Sequence, residues 1–180
     1  MHLPHSPSKQ HHPTAAYGNK AGSRLLEVLS LLGIVAGVIL LWSAWPELPE
    51  KVPSHFNLSG QPDGWAGKSI LYLFIAVPLF IWGLMTAVNR GNIRPSNAKD
   101  LPPEAVAEAT TIMRTFLNML KAELIWFFVL IEWRTLDVAL GKADGLGVWF
   151  VPSLISLILV SVAVFLRRMA ALVKRYRLKE

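Results

Sequence analysis

Residues 110–140 read TTIMRTFLNMLKAELIWFFVLIEWRTLDVAL, and the way this stretch sits in the chain decides the fold. It contains neither Gly nor Pro, a composition that favours a helix. It also carries Arg114, Lys121, Glu123, Glu132, Arg134 and Asp137, so its longest run without charge is Leu124 to Ile131. Hydropathy alone would lay such a helix along an interface. The neighbouring sequence argues differently. Val28–Pro46, Ser69–Asn89 and Gly145–Leu166 hold no charge at all. Each is close to or beyond the roughly 20 apolar residues that a spanning helix needs. None shows the polar stripe that a soluble core helix presents to water.

The cations set the parity. Lys9, Lys20 and Arg24 precede the first apolar run, and Arg167, Arg168, Lys174, Arg175, Arg177 and Lys179 follow the last. Cytoplasmic flanks collect Lys and Arg, so both ends are expected in the cytoplasm, which requires an even number of crossings. The charged stretch is then the fourth. The expected fold is an all-α membrane protein with four transmembrane helices, at about 25–45, 69–89, 105–140 and 147–175. Its N- and C-termini are cytoplasmic, and a folded outside loop, 46–68, lies between helices 1 and 2. Residues 1–22 are expected to be a flexible tail and 23–180 the membrane domain. His2, His5, His11 and His12 in that tail lack a fixed geometry for a metal. Trp42, Trp45, Trp133 and Trp149 fall near the outer interface, where indole rings concentrate.

Composition agrees. Only 17% of residues are charged and 53% are hydrophobic, against about 25% charge in a soluble domain. The net charge of +6 would suggest nucleic acid in a soluble protein. Here most cations lie at cytoplasmic positions and report orientation, so no nucleic-acid partner is expected. The absence of cysteine excludes a disulfide framework, a cysteine zinc site and a thiol nucleophile. No HExxH, GxSxG or Gly-Asp protease motif is present, so no enzyme, catalytic residue, metal or cofactor is expected.

The outside loop, PELPEKVPSHFNLSGQPDGWAGK over residues 46–68, is the most distinctive text in the chain. Pro46, Pro49 and Pro53 favour extended backbone, which suits a strand-like run over Lys51–Asn57. Gly60-Gln61-Pro62-Asp63-Gly64 reads as a turn, with Pro presetting φ and Gly accepting φ > 0. A loop of this length is expected to be folded and functional. His55, Asn57 and Asp63 could form a polar site at the membrane surface. Alternatively His55 and Asp63 bond within the loop, with Phe56 and Trp65 packed beneath. One His and one Asp are too few for a metal.

Leu48-Pro49, Val52-Pro53, His55-Phe56-Asn57, Gly60, Pro62-Asp63-Gly64 and Lys68 lie in this loop. Their ordered Pro, His, Gly and Pro-Asp-Gly pattern resembles the bacterial integral-membrane family called domain of unknown function 1648. That domain also occurs in immunity proteins against the sporulation-delaying toxin of bacilli. The resemblance covers the end of helix 1, the loop and the start of helix 2. It implies a multi-pass protein of the bacterial cytoplasmic membrane. The immunity proteins have six spanning helices and a further C-terminal region, whereas this chain reads as four.

The charges of 110–140 are the physical anomaly. Arg114, Asn118, Lys121, Ile125, Phe128 and Glu132 recur at helical spacing and share one face. Arg134 and Asp137 are three apart and can pair along the helix. An unpaired carboxylate near the bilayer centre costs roughly 2.5–3.5 kcal/mol. Glu27 is the expected partner of Lys121 or Arg114. Lys51, Lys68 and His55 are the expected partners of Glu132 or Asp137, and elsewhere the helices offer neutral groups such as Ser30, Tyr72, Ser153, Ser156 and Ser161. Either the charges pin helix 3 in register, or Glu123 and Glu132 line a polar cavity.

The function expected is a non-enzymatic envelope sensor or immunity-like factor that binds an extracellular peptide or small ligand. The alternative is a subunit of a small transporter or proton pathway using Lys121, Glu123 and Glu132, which requires a homo-oligomer. The lipid bilayer is the first partner in either case. The basic C-terminal tail serves as a membrane anchor or docks a cytoplasmic partner.

Overall fold

The structure, a computed structural model, describes residues 20–96, 98–99 and 101–177. The expected flexible tail lies outside the described residues up to residue 19. Four helices occur in chain order: α1 (Lys20–Ala44), α2 (Leu73–Arg90), α3 (Pro103–Ala139) and α4 (Phe150–Arg177). Between α1 and α2 sit two strands, β1 (Lys51–Phe56) and β2 (Pro62–Gly67), framed by 3-10 turns at Trp45–Glu47 and Lys68–Tyr72. Helical structure thus begins at Lys20, earlier than the expected boundary at about 25.

Three segments are long and apolar enough to cross a membrane: Ala21–Glu47, Lys68–Arg90 and Phe150–Tyr176. These are the features of a multi-pass membrane protein. Their large apolar side chains point outward, among them Val35 and Ile39 of α1, Phe80 and Leu84 of α2, and Leu159 and Val160 of α4. A soluble bundle would hide such groups, whereas lipid is as apolar as they are.

The charged helix lies inside. α3 packs along α1, α2 and α4, and its buried face runs through Asn118, Lys121, Ala122, Ile125, Val129, Glu132 and Leu136. This is the face that helical spacing predicts, with Arg114 exposed at one end and Phe128 half-buried at its edge. The buried polar side chains of α3, Asn118, Lys121, Glu132 and Thr135, lie on this inward face. The α1–α3 contact is close. A Cβ added at Gly33 would come 2.8 Å from Ile125, and one added at Gly37 would come 2.8 Å from Glu132 Oε2. Glycines four apart let two helix backbones approach within a membrane.

Two apolar clusters close the ends. At one end Val52 and Leu48 of the α1–α2 connection pack with Leu41, Leu71 and Leu136. Trp45 stacks on Tyr72 at 5.0 Å between ring centroids. At the other end Ala105 and Ala109 of α3 enclose Leu172 of α4, beside an Arg175–Glu108 ion pair at 2.9 Å.

Candidate functional site

The α1–α2 connection is an antiparallel hairpin in which Lys51 pairs with Gly67, Pro53 with Trp65 and Phe56 with Pro62. Its turn differs from the expected one. Pro62, Asp63 and Gly64 belong to β2, and the chain reverses at Asn57–Gly60. Asn57 is the reason. Its Oδ1 accepts the N–H of Ser59 at 2.9 Å and of Gln61 at 3.1 Å, and its carbonyl accepts Gly60 N–H at 2.8 Å. This Asx arrangement completes the reversal before the Pro-Asp-Gly sequence is reached. Gly60 takes φ +76, a conformation that side chains disfavour.

His55 Nδ1 lies 2.5 Å from Asp63 Oδ1 across the strands. Both side chains are exposed, at 71% and 43%, so the pair contributes about 0–1 kcal/mol to the fold. The expected burial of both aromatics is half right. Phe56 is half-buried, while Trp65 is 54% exposed on the same outward row of β2 as Asp63. Lys68 pairs with Glu50 at 3.7 Å and covers the Trp45 ring at 5.4 Å.

The hairpin is docked at its tip. Leu146 N–H, in the α3–α4 connection, donates to the Gly60 carbonyl at 2.7 Å. Gly145 is so close that an added Cβ would lie 2.2 Å from that same oxygen. Arg134 donates to the Gly145 carbonyl at 2.7 Å and pairs with Asp137 at 3.5 Å, the i,i+3 pair expected from spacing. A side chain of α3 therefore anchors the loop on which the hairpin rests. Leu58 and Trp149, at 92% and 78% exposure, project from the two joined loops.

Below this cap, Glu132 is fully buried and neither carboxylate oxygen has a hydrogen-bond partner. Thr135 Oγ1, three residues further along α3, is likewise unpartnered. Two of the expected partners are engaged elsewhere, His55 with Asp63 and Lys68 with Glu50, while Asp137, the other acid they were expected to reach, pairs with Arg134. These pairs form within α3, across the hairpin or between its flanks, and none of them reaches Glu132. Glu123 faces α4, where Ser161 Oγ donates to its Oε1; its Oε2 is buried and unpaired.

Lys121 has the partner expected for it. Its Nζ is 2.5 Å from Glu27 Oε2 and 3.0 Å from Thr86 Oγ1, and only 1% of the side chain is exposed. Trp82 Nε1 donates to the other Glu27 oxygen at 2.9 Å, so α1, α2 and α3 meet at one ion pair. Asn118 donates to Ser23 Oγ at 2.9 Å and accepts from Asn89 at 2.7 Å. The roles of Trp82, Thr86 and Asn89 escape sequence reading, because nothing in their spacing points at Lys121. The Gly33-x-x-x-Gly37 spacing was visible, and marks where α1 would meet another helix closely.

Ile125 and Val129, buried between Lys121 and Glu132, separate the two polar clusters along α3. Among the described residues no three His, Asp or Glu side chains converge as metal ligands would.

No curated protein and no solved structure matches the chain. The family resemblance carried by the hairpin is found independently: residues 31–81, from the middle of α1 through the hairpin into α2, match the family described as Domain of unknown function (DUF1648).

Proposed function

We propose that this is a four-crossing protein of the bacterial cytoplasmic membrane with both ends in the cytoplasm. It acts without catalysis, as an envelope sensor or immunity-like factor that binds an extracytoplasmic peptide or small ligand on its outer hairpin. Connectivity supports the fourth crossing. The start of α4 lies at the hairpin end, through the Leu146–Gly60 bond, and the end of α4 lies with the start of α3, through Leu172 and Ala105. If α2 and α4 cross, the helix between them must cross as well. The cation distribution supports the orientation.

The observation that carries the binding role is the tethered hairpin tip. Gly60, Gly145 and Leu146 hold two outer loops as one preformed surface, and preformed surfaces lose little entropy on binding. On it stand a polar pair, His55 and Asp63, that contributes little to the fold, and exposed Leu58 and Trp65. Such a surface suits an amphipathic ligand. The test is complementation of a strain lacking the gene, challenged with membrane-active peptides. A wild-type copy should restore growth. Copies with Leu58→Asp, or His55→Ala with Asp63→Ala, should insert normally and fail to protect. Full protection by both variants would refute the reading.

Unpartnered Glu132 favours a second reading, a proton or ion pathway along α3. The apolar layer of Ile125 and Val129 opposes it within one chain, so that pathway needs an oligomer or a second conformation.

A further inference from the structure

At the end of the bundle away from the hairpin, a cleft of about 430 Å³ opens between the start of α1, the end of α2 and the first half of α3. Arg24, Arg90, Arg114 and Lys121 line it against a single carboxylate, Glu27. Both oxygens of that carboxylate are engaged, one by Trp82 and the other by Lys121. The three arginines have no carboxylate partner among the described residues. Arg114 donates to the Gly91 carbonyl at 3.2 Å, a neutral acceptor that leaves its charge uncompensated. A concave wall that gathers cations beside low-dielectric protein concentrates positive potential.

The chemistry narrows the ligand further. Guanidinium forks match the oxygens of a phosphate bidentately. The cleft is larger than a bare phosphate. Asn89 and Asn118, joined by a hydrogen bond of 2.7 Å, also line it and add neutral polar groups to the cationic wall. We propose that this cleft binds a phosphate ester, with Arg24, Arg90 and Arg114 on the phosphate. Lys121 and Glu27 form its floor and hold the three helices in place. The ester is either the headgroup of an anionic glycerophospholipid or a soluble polyol phosphate. The proposal is independent of what binds the outer hairpin.

The full chain in phosphatidylcholine nanodiscs, with and without phosphatidylglycerol, provides the lipid arm, read as phosphatidylglycerol adducts retained in native mass spectrometry. Titration with glycerol 3-phosphate, followed by calorimetry, provides the soluble arm. Arg24, Arg90 and Arg114 are exposed, so the triple change to Gln leaves the folded core intact. Arg167→Gln with Arg168→Gln, on α4 and outside this cleft, controls for general attraction of cations to anionic lipid. At least one probe should bind the wild type, with a loss of roughly tenfold or more in the triple variant, as expected for charge-assisted contacts. The double variant should bind as the wild type does. Binding in the lipid arm alone identifies a headgroup, and binding in the soluble arm identifies a free ester. Failure of the wild type to bind either probe, or an equal loss in the two variants, overturns the proposal.

Discussion

The carboxylate of Glu132 on α3 lies against the backbone of α1 at Gly37, where an added Cβ would come 2.8 Å from Oε2. A close approach of the two helices thus coincides with a buried carboxyl group that has no hydrogen-bond partner. A side chain so placed serves packing poorly, since an apolar group of the same volume would fill the space without desolvating an acid.

Glu132→Leu is therefore expected to stabilise the bundle, by about 1–3 kcal/mol, the penalty that an unsatisfied buried polar group carries. Thermal unfolding in detergent checks this. A large destabilisation would show that Glu132 has a structural partner.

Gly37→Ala should cost about 1–3 kcal/mol, the usual effect of overpacking a filled interior. Glu132→Ala in the same chain should recover most of that cost, because the two residues touch and neighbouring changes do not add. A double-mutant cycle in detergent measures the coupling. Additive effects would mean that the two helices do not meet at these positions.

The Lys121–Glu27 pair makes the opposite prediction. Lys121→Met leaves Glu27 with Trp82 as its remaining donor among the described contacts, and because Glu27 is 32% exposed the loss should be about 1–3 kcal/mol. Removing both, with Glu27→Leu added, should return stability to near the wild-type level. Unfolding of the three variants checks it, and a double variant as unstable as Lys121→Met would contradict it.

Gly145→Ala should undock the hairpin, because its Cβ would fall 2.2 Å from the Gly60 carbonyl oxygen, inside any van der Waals contact. Backbone amides of 57–61 should exchange faster with solvent while those of α3 are unchanged. Hydrogen exchange in detergent reads both, and unaltered protection at the tip would show that the tip does not rest on this loop.

Much of this was legible in the chain. Three apolar runs and the helical spacing of Asn118, Lys121, Ile125 and Glu132 located the helices and the inward face of α3, because lipid sorts apolar from polar faces without regard to detail. Glu27 was legible as a partner because few acids lie on the other helices. The hairpin was read with its turn in the wrong place: Pro-Asp-Gly is a turn sequence, but Asn57 lies ahead of it and its side chain captures two backbone N–H groups. The isolation of Glu132 could not be read. The loop cations that might have reached it are held by closer acids, and such local choices depend on three-dimensional proximity.

The most direct measurement is the sidedness of the connections around α3. The chain has no cysteine, so single cysteines at Ser59, Lys142, Ser96 and Lys174, all exposed, can be labelled without altering native thiols. With a membrane-impermeant maleimide on intact cells, Ser59→Cys and Lys142→Cys should be labelled, and Ser96→Cys and Lys174→Cys only after permeabilisation. Labelling of Ser59→Cys in intact cells with Lys142→Cys protected until permeabilisation would contradict a membrane-crossing α3.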